Sequence, residues 1–243
     1  MTPLAALGVF GGALEFLVER RGLLAEKALE HVLLSGGALL VALALALPLG
    51  VALGHLHRGS AVAINAANVG RALPSLAVLA IGLTFLGFGY ANVLLALVVV
   101  AVPPILTNAY VAVDGVDRDA VEAARGMGMT PWQVVRRVEL PLALPLLFAG
   151  IRTAAVFVVA TATVAAVAGG GGLGEILFNQ ASYRLEGVVA ASLVVSALAF
   201  AADGLVAAVQ RLLTPRPLRA QRPRREQALD RRDEAVGGEG ERG

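Results

Sequence analysis

The sequence predicts an all-α integral membrane protein with about five transmembrane helices, and three observations predict it. Of the 243 residues, 57% are hydrophobic and only 16% are charged. An ordinary soluble domain carries about a quarter charged residues, so apolar surface on this scale can be buried only in lipid. The apolar residues are gathered into stretches of the roughly 20 residues that a spanning helix requires. The charges gather near both ends and in residues 114–140, as in a polytopic membrane protein.

Taken in order, residues 1–30 read as an N-terminal segment that lies against the membrane rather than crossing it. The apolar run 4–18 is short and carries Glu15 near its end. It also lacks the basic start and small-residue cleavage site of a removable signal peptide, so none is expected. The transmembrane domain occupies 31–211, with crossings expected at 31–54, 62–86, 91–113, 141–168 and 187–211.

Orientation follows from the basic residues. The loop GHLHRGS holds Arg58, residues 114–140 hold four arginines, and the chain from Arg211 onward holds nine. By contrast GFGYAN has no charge, and 169–186 has only Glu175, Arg184 and Glu186. The positive-inside rule places the three basic segments in the cytoplasm. Residues 212–243, rich in Arg, Pro and Gly, read as a disordered basic tail resting on anionic headgroups, with no nucleic-acid role. His55 and His57 have no third ligand nearby and read as ordinary loop residues.

The loop 114–140 is too long and too well capped for a mere connector. Asp119 with Glu122 has the spacing of a capping box, and Thr130, Pro131 and Gln133 repeat it. Gly126 and Gly128 lie between, where one helix stops and the chain turns. The second helix sets Val134, Val135 and Val138 against Arg136 and Arg137, and Pro141 is expected to close it. The small residues Ala123, Ala124 and Gly128 let another backbone approach closely. Docking of a cytoplasmic partner is the simplest use of such an element.

At this point a resemblance enters. Glu122-Ala123-Ala124, three residues, Gly128, nine residues, Val138, one residue, then Leu140-Pro141 resembles the EAA loop of binding-protein-dependent ABC importer permeases. The stretches 68–89, 126–145 and 150–180 are similar to the permeases of osmoprotectant importers, which carry glycine betaine, choline and related quaternary amines. That likeness runs from His31 to about Arg211. It implies a type I ABC importer permease core in the cell membrane, and a coupling helix fitted to a groove on cytoplasmic ATP-binding subunits. It further implies an external substrate-binding protein and a second permease chain, identical or related.

Other patterns exclude chemistry. With no cysteine there is no thiolate metal site and no cysteine nucleophile. The run GGGGLG matches a dinucleotide fingerprint by letters alone, since it follows a spanning segment rather than a soluble strand. Gly169, Gly170, Gly171, Gly172 and Gly174 read instead as an outer loop or gate, where glycine lets backbone bend and pack. No G-x-x-x-x-G-K-[ST] occurs, so a motor, if present, is a separate polypeptide. No catalytic residue, metal or cofactor is expected.

Ionisable groups inside spans cost about 2.5–3.5 kcal/mol on insertion scales and usually face an interior or cavity. Arg71, Arg152 and Asp203 are such groups. Counted from Pro141 and Arg211, Arg152 and Asp203 lie roughly 16 and 12 Å from the same face. An Arg152–Asp203 pair tying spans four and five is therefore expected, with Arg71 near the cytoplasmic gate. The lone tryptophan, Trp132, lies in the charged loop, so an aromatic cage for a quaternary amine is not expected, and selectivity falls to the external binding protein. Methionine or another small amino acid is the alternative cargo. A motor-free secondary transporter is less consistent, because Asp203 is the one inward carboxylate available for ion coupling.

Overall fold

The computed structural model describes residues 3–72 and 74–214. The tail expected at 212–243 therefore lies almost wholly outside the described residues, as does the side chain of Arg71. Among the described residues the structure is helical throughout, without strands.

Helix α1 (Pro3–Glu19) precedes α2 (Arg21–His55), whose 35 residues make a rod roughly 52 Å long, well beyond the roughly 30 Å of a hydrocarbon core. The first crossing thus belongs to a helix that starts at Arg21 rather than 31. Helix α1 packs on the last helix of the chain, its Phe16 ring meeting Tyr183 edge to face at 6.3 Å.

The second expected crossing, 62–86, is not one helix. It is α3 (Ser60–Ala72) and α4 (Ser75–Leu86), with Pro74 extended between them at ψ 124°. Proline supplies no N–H and disfavours helix in the residue before it, so the apolar run breaks there despite its hydropathy. Helix α5 (Tyr90–Asp114) follows, then α6 (Arg118–Gly126). Helix α7 (Pro131–Val134) passes through a π turn at Val135–Glu139 into α8 (Leu140–Ala162), which ends in a 3₁₀ turn at Thr163–Ala168. Short α9 (Gly174–Leu177) leads to α10 (Gln180–Leu213), bent at Arg184, where φ is 57°. Four stretches are long and apolar enough to cross a membrane: Arg21–His55, Tyr90–Asp114, Pro131–Ala168 and Gln180–Leu213.

Pro141 does not close the loop helix, contrary to expectation. Leu140 N–H reaches back to Val135 O, the longer register of a π turn. The proline that follows enters at the start of α8, where its missing N–H interrupts nothing further.

The core is centred on α5. Val93, Leu97, Ala101 and Ile105 pack with Ala38, Ala42 and Ala46 of α2 and with Ala154 and Val158 of α8, all buried. Towards the charged end α2 and α5 meet backbone to backbone. A Cβ on Gly50 would stand 2.6 Å from Ala109 Cβ, and one on Gly54 would stand 2.8 Å from Val113 Cβ and 2.9 Å from the Tyr110 carbonyl. Neither neighbour is a flexible side-chain end, so the two helices must part if either glycine gains a side chain.

Gly54→Ala is therefore expected to lower the thermal midpoint of the solubilised protein, by an overpacking loss of about 1–3 kcal/mol. Gly36→Ala, at a helical site with nothing within 4 Å, is expected to be neutral or stabilising by a few tenths of a kcal/mol. Paired thermal melts check the opposite signs.

Candidate functional site

The charged loop folds as a capped, packed element. The N-cap of α6 is Asp117, whose side chain accepts from Asp119 N–H at 2.9 Å. The expected cap at Asp119 is thus displaced by two residues, and Glu122 is left exposed on the helix. The second cap is as the sequence indicates. Thr130 Oγ1 accepts from Gln133 N–H at 3.4 Å and Gln133 Oε1 from Thr130 N–H at 2.9 Å.

Gly128, between the two helices, has φ +80° and open space around its Cα. That backbone region is costly for any residue bearing a Cβ. The motif residues divide between two faces. Ala124 is buried against Val121 and Val134 in a cluster that also holds Val113 of α5 and Leu147 of α8, with Val138 and Leu140 packed partly against it. Ala123, Met127, Gly128 and Trp132 face outward, the last two hydrophobic side chains being Met127 at 71% and Trp132 at 68% exposure. Pro141 sits in the first turn of α8. The outward face is small-residue backbone flanked by two large apolar side chains.

Glu139 was legible only as one charge among several in a charged loop. It is 1% exposed, and both its carboxylate oxygens accept from His55 Nδ1, at 2.8 and 2.9 Å. His57 donates to Asp114 Oδ1 at 2.8 Å. Neither histidine is an ordinary loop residue, then. Together they fasten the end of α2 to α5 and to the π turn. Beside them a polar pocket of about 280 Å³ is lined by Arg118, Glu122, Arg125, Glu139 and His57 among others.

At the other end of α2 the glycine run closes on the bundle. Gly169, Gly171 and Gly172 all have positive φ, which glycine alone adopts without strain. Gly172 N–H donates to Glu30 at 2.8 Å, and Lys27 bridges Glu30 at 3.0 Å and Glu175 at 2.7 Å. His31, 1% exposed, donates through Nε2 to the Val159 carbonyl at 2.9 Å. The Ala168 carbonyl accepts from Gly89 N–H at 2.8 Å, joining the run to the start of α5. Gly170 and Gly174 are close-packed against Ala165 and the Thr163 carbonyl respectively. Glu30 and His55 are separated by 25 positions on one helix, roughly 37 Å, so the glycine clasp and the charged loop stand at opposite ends of the same rod.

Between them, Arg152 of α8 and Asp203 of α10 form a two-point pair, Nε to Oδ1 at 2.7 Å and Nη2 to Oδ2 at 2.6 Å. The fork geometry satisfies both carboxylate oxygens at once. Arg71 falls in the last turn of α3, and its side chain is outside the described residues. An apolar cavity of about 280 Å³ lies between α2, α8 and α10, lined by Leu39, Val159 and Leu198 with His31 and Ser35. It contains no aromatic face of the kind that holds a quaternary amine. Among the described residues no group of three or more His, Cys, Asp or Glu is placed to hold a metal ion.

Comparison with known proteins is consistent along the chain. Residues 44–215 match the family described as binding-protein-dependent transport system inner membrane component. The glycine betaine/carnitine/choline transport system permease protein OpuCB of Bacillus subtilis is 38% identical over 84% of this chain and 94% of its own. The choline transport system permease protein OpuBB of the same organism is 39% identical over 83% and 93%. Among solved structures, an inward-facing form of the MetNI methionine ABC transporter has a TM-score of 0.69 at 24% identity, covering 81% of this chain and 99% of that one. This last likeness is one of fold.

Removing one member of the two-point pair is expected to leave the other stranded. Asp203→Ala should lower the thermal midpoint and the membrane yield, and Arg152→Asp combined with Asp203→Arg should recover most of both. Equal stability of Asp203→Ala and the unaltered protein would mean the pair ties nothing.

Proposed function

Because the chain belongs to the binding-protein-dependent transport system inner membrane components, we propose that it is the permease subunit of an ATP-driven importer of an osmoprotectant such as glycine betaine, choline or carnitine. The observation that carries the cargo is sequence likeness of 38–39% over more than four fifths of the chain to permeases named for those compounds. The methionine alternative has only a shared fold at 24% identity behind it.

The protein is a multi-pass inner-membrane component and not the ATPase. It carries no phosphate-cradling motif, so hydrolysis belongs to cytoplasmic ATP-binding subunits docked at Ala123, Gly128 and the exposed Met127 and Trp132. An external binding protein delivers substrate at the glycine end, and a second permease chain completes the path. The basic tail then lies in the cytoplasm.

The geometry supports a mechanical role for each end. Closure of the motor presses on α6 and α7. Helix α7 runs through the π turn into α8 without a break, so the push is delivered along a spanning helix rather than absorbed in a linker. At the far end, the Lys27–Glu30–Glu175 clasp on Gly172 N–H must loosen or reform as the path opens. Arg152–Asp203 keeps α10 with α8 during the motion. Substrate selectivity rests with the binding protein, since the apolar cavity offers no aromatic cage.

Uptake of labelled glycine betaine, choline and carnitine by cells holding the whole transporter tests this reading. Energised uptake of at least one is expected. Ala123→Trp, which fills the outward face while leaving Ala124 packed, is expected to abolish that uptake at normal membrane abundance. No uptake of any of the three by the unaltered transporter would remove the osmoprotectant cargo. Undiminished uptake with Ala123→Trp would remove the docking role of the loop.

A further inference from the structure

Helix α8 receives the push through unbroken helical backbone, but α2 and α5 do not. The chain reaches α5 only by way of α6 and the turn at Gly115–Asp117, and it reaches α2 not at all near this end. What joins them to the docking element is side-chain contact, and among the described residues the one side-chain hydrogen bond from α2 to that element is His55–Glu139, whose carboxylate is buried.

Its placement is specific in three ways. Glu139 is the last residue of the π turn, the point where the docking helix becomes the spanning helix. π turns are rare and are found frequently at functional positions. His55 is the last residue of α2, one position beyond Gly54, where α2 and α5 are in backbone contact. His57 then ties the same end to Asp114, the last residue of α5. Glu139 is thus held by a unit made of two spanning helices locked together.

We propose that His55 and Glu139 are positioning residues that make α2 and α5 follow the docking element, so that motor closure moves three spanning helices together instead of α8 alone. This rests on the importer reading above. Neither residue touches substrate or nucleotide in this account. Each acts by holding the other.

The apolar contacts of Val121, Val134 and Val113 in the same region resist separation but slide easily, because packing of aliphatic surfaces is non-directional. A charge-assisted hydrogen bond to both oxygens of a buried carboxylate does not slide. That difference is why the polar pair, rather than the surrounding cluster, sets how faithfully α2 and α5 track the loop. The charged groups that line the pocket beside Glu139 from α6 are Arg118, Glu122 and Arg125, all with exposed side chains.

The test uses the full complex of this chain with its ATP-binding subunit and binding protein in proteoliposomes, measuring ATP hydrolysed and glycine betaine imported in the same sample. His55→Ala is expected to raise the ATP consumed per betaine about tenfold, the size of a coupling between directly contacting groups. Exchanging the partners, His55→Glu with Glu139→His, is expected to return the ratio to within about twofold of the original. Stranding a buried carboxylate is itself destabilising, whereas replacing both partners by apolar residues is often neutral. His55→Leu with Glu139→Leu therefore supplies a folded protein without the link, and its ratio is expected to rise as well.

An unchanged ratio in the folded double-leucine protein overturns the proposal while leaving the importer reading intact. A complex of unaltered chains that imports none of betaine, choline or carnitine overturns both.

Discussion

Between Pro131 and Ala168 the chain never leaves helical hydrogen bonding, although it passes from α-helix through a π turn and finishes in a 3₁₀ turn. One end of this rod is a capped helix outside the apolar region, with Trp132 exposed beside it. The other end leads directly into the positive-φ glycines that close against α2. Thr130 and the foot of the glycine run at Ala168 are thus joined by one continuous helical element. The remaining contacts decide only which neighbours travel with it. Val134 and Leu147, both on the rod, are buried against α5 and α6, and Ala154 and Val158 are buried against α2 and α5.

The neighbours are held by two different kinds of force. Along most of their length α2, α5 and α8 share an alanine-rich interface, in which small side chains let backbones approach and dispersion accumulates over many weak contacts. Such surfaces permit small sliding motions. Among the described residues, the charged and histidine side chains that pin these helices lie at three levels: Glu30 and His31 at the glycine end, Arg152–Asp203 midway, and His55 and His57 at the charged end. A bundle that is smooth along its flanks and pinned at a few levels is suited to rocking between discrete arrangements. Interfaces of this kind have separate packed states rather than a continuum of them.

Much of this was legible in the sequence because the signals are local. The Thr130–Gln133 cap is a four-residue pattern, and the EAA spacing lies within about twenty residues. Arg152 and Asp203 are legible together because counting 1.5 Å per residue from each span end puts them at similar depth. Three features were less accessible. Pro74 announces a break, yet the apolar run continues on both sides and hydropathy alone joins it. Pro141 reads as a helix stop, and only the π turn before it, which no short pattern marks, lets the helix continue. The His55–Glu139 contact joins positions 84 apart in sequence. The available hint was that Glu139 lies four positions after Val135, a spacing that puts the two on neighbouring sites of one helix face.

The central claim is that the outward face of the loop is where a motor subunit sits. Because the chain has no cysteine, single cysteines report position without background. The most direct measurement places one at Met127 or Trp132, and in a separate protein at the exposed Phe178 of the glycine end, and asks which is cross-linked to the ATP-binding subunit in native membranes. The account predicts cross-links from Met127→Cys and Trp132→Cys and none from Phe178→Cys. A cross-link from Phe178→Cys, or none from either loop position in a complex that still transports, would contradict it.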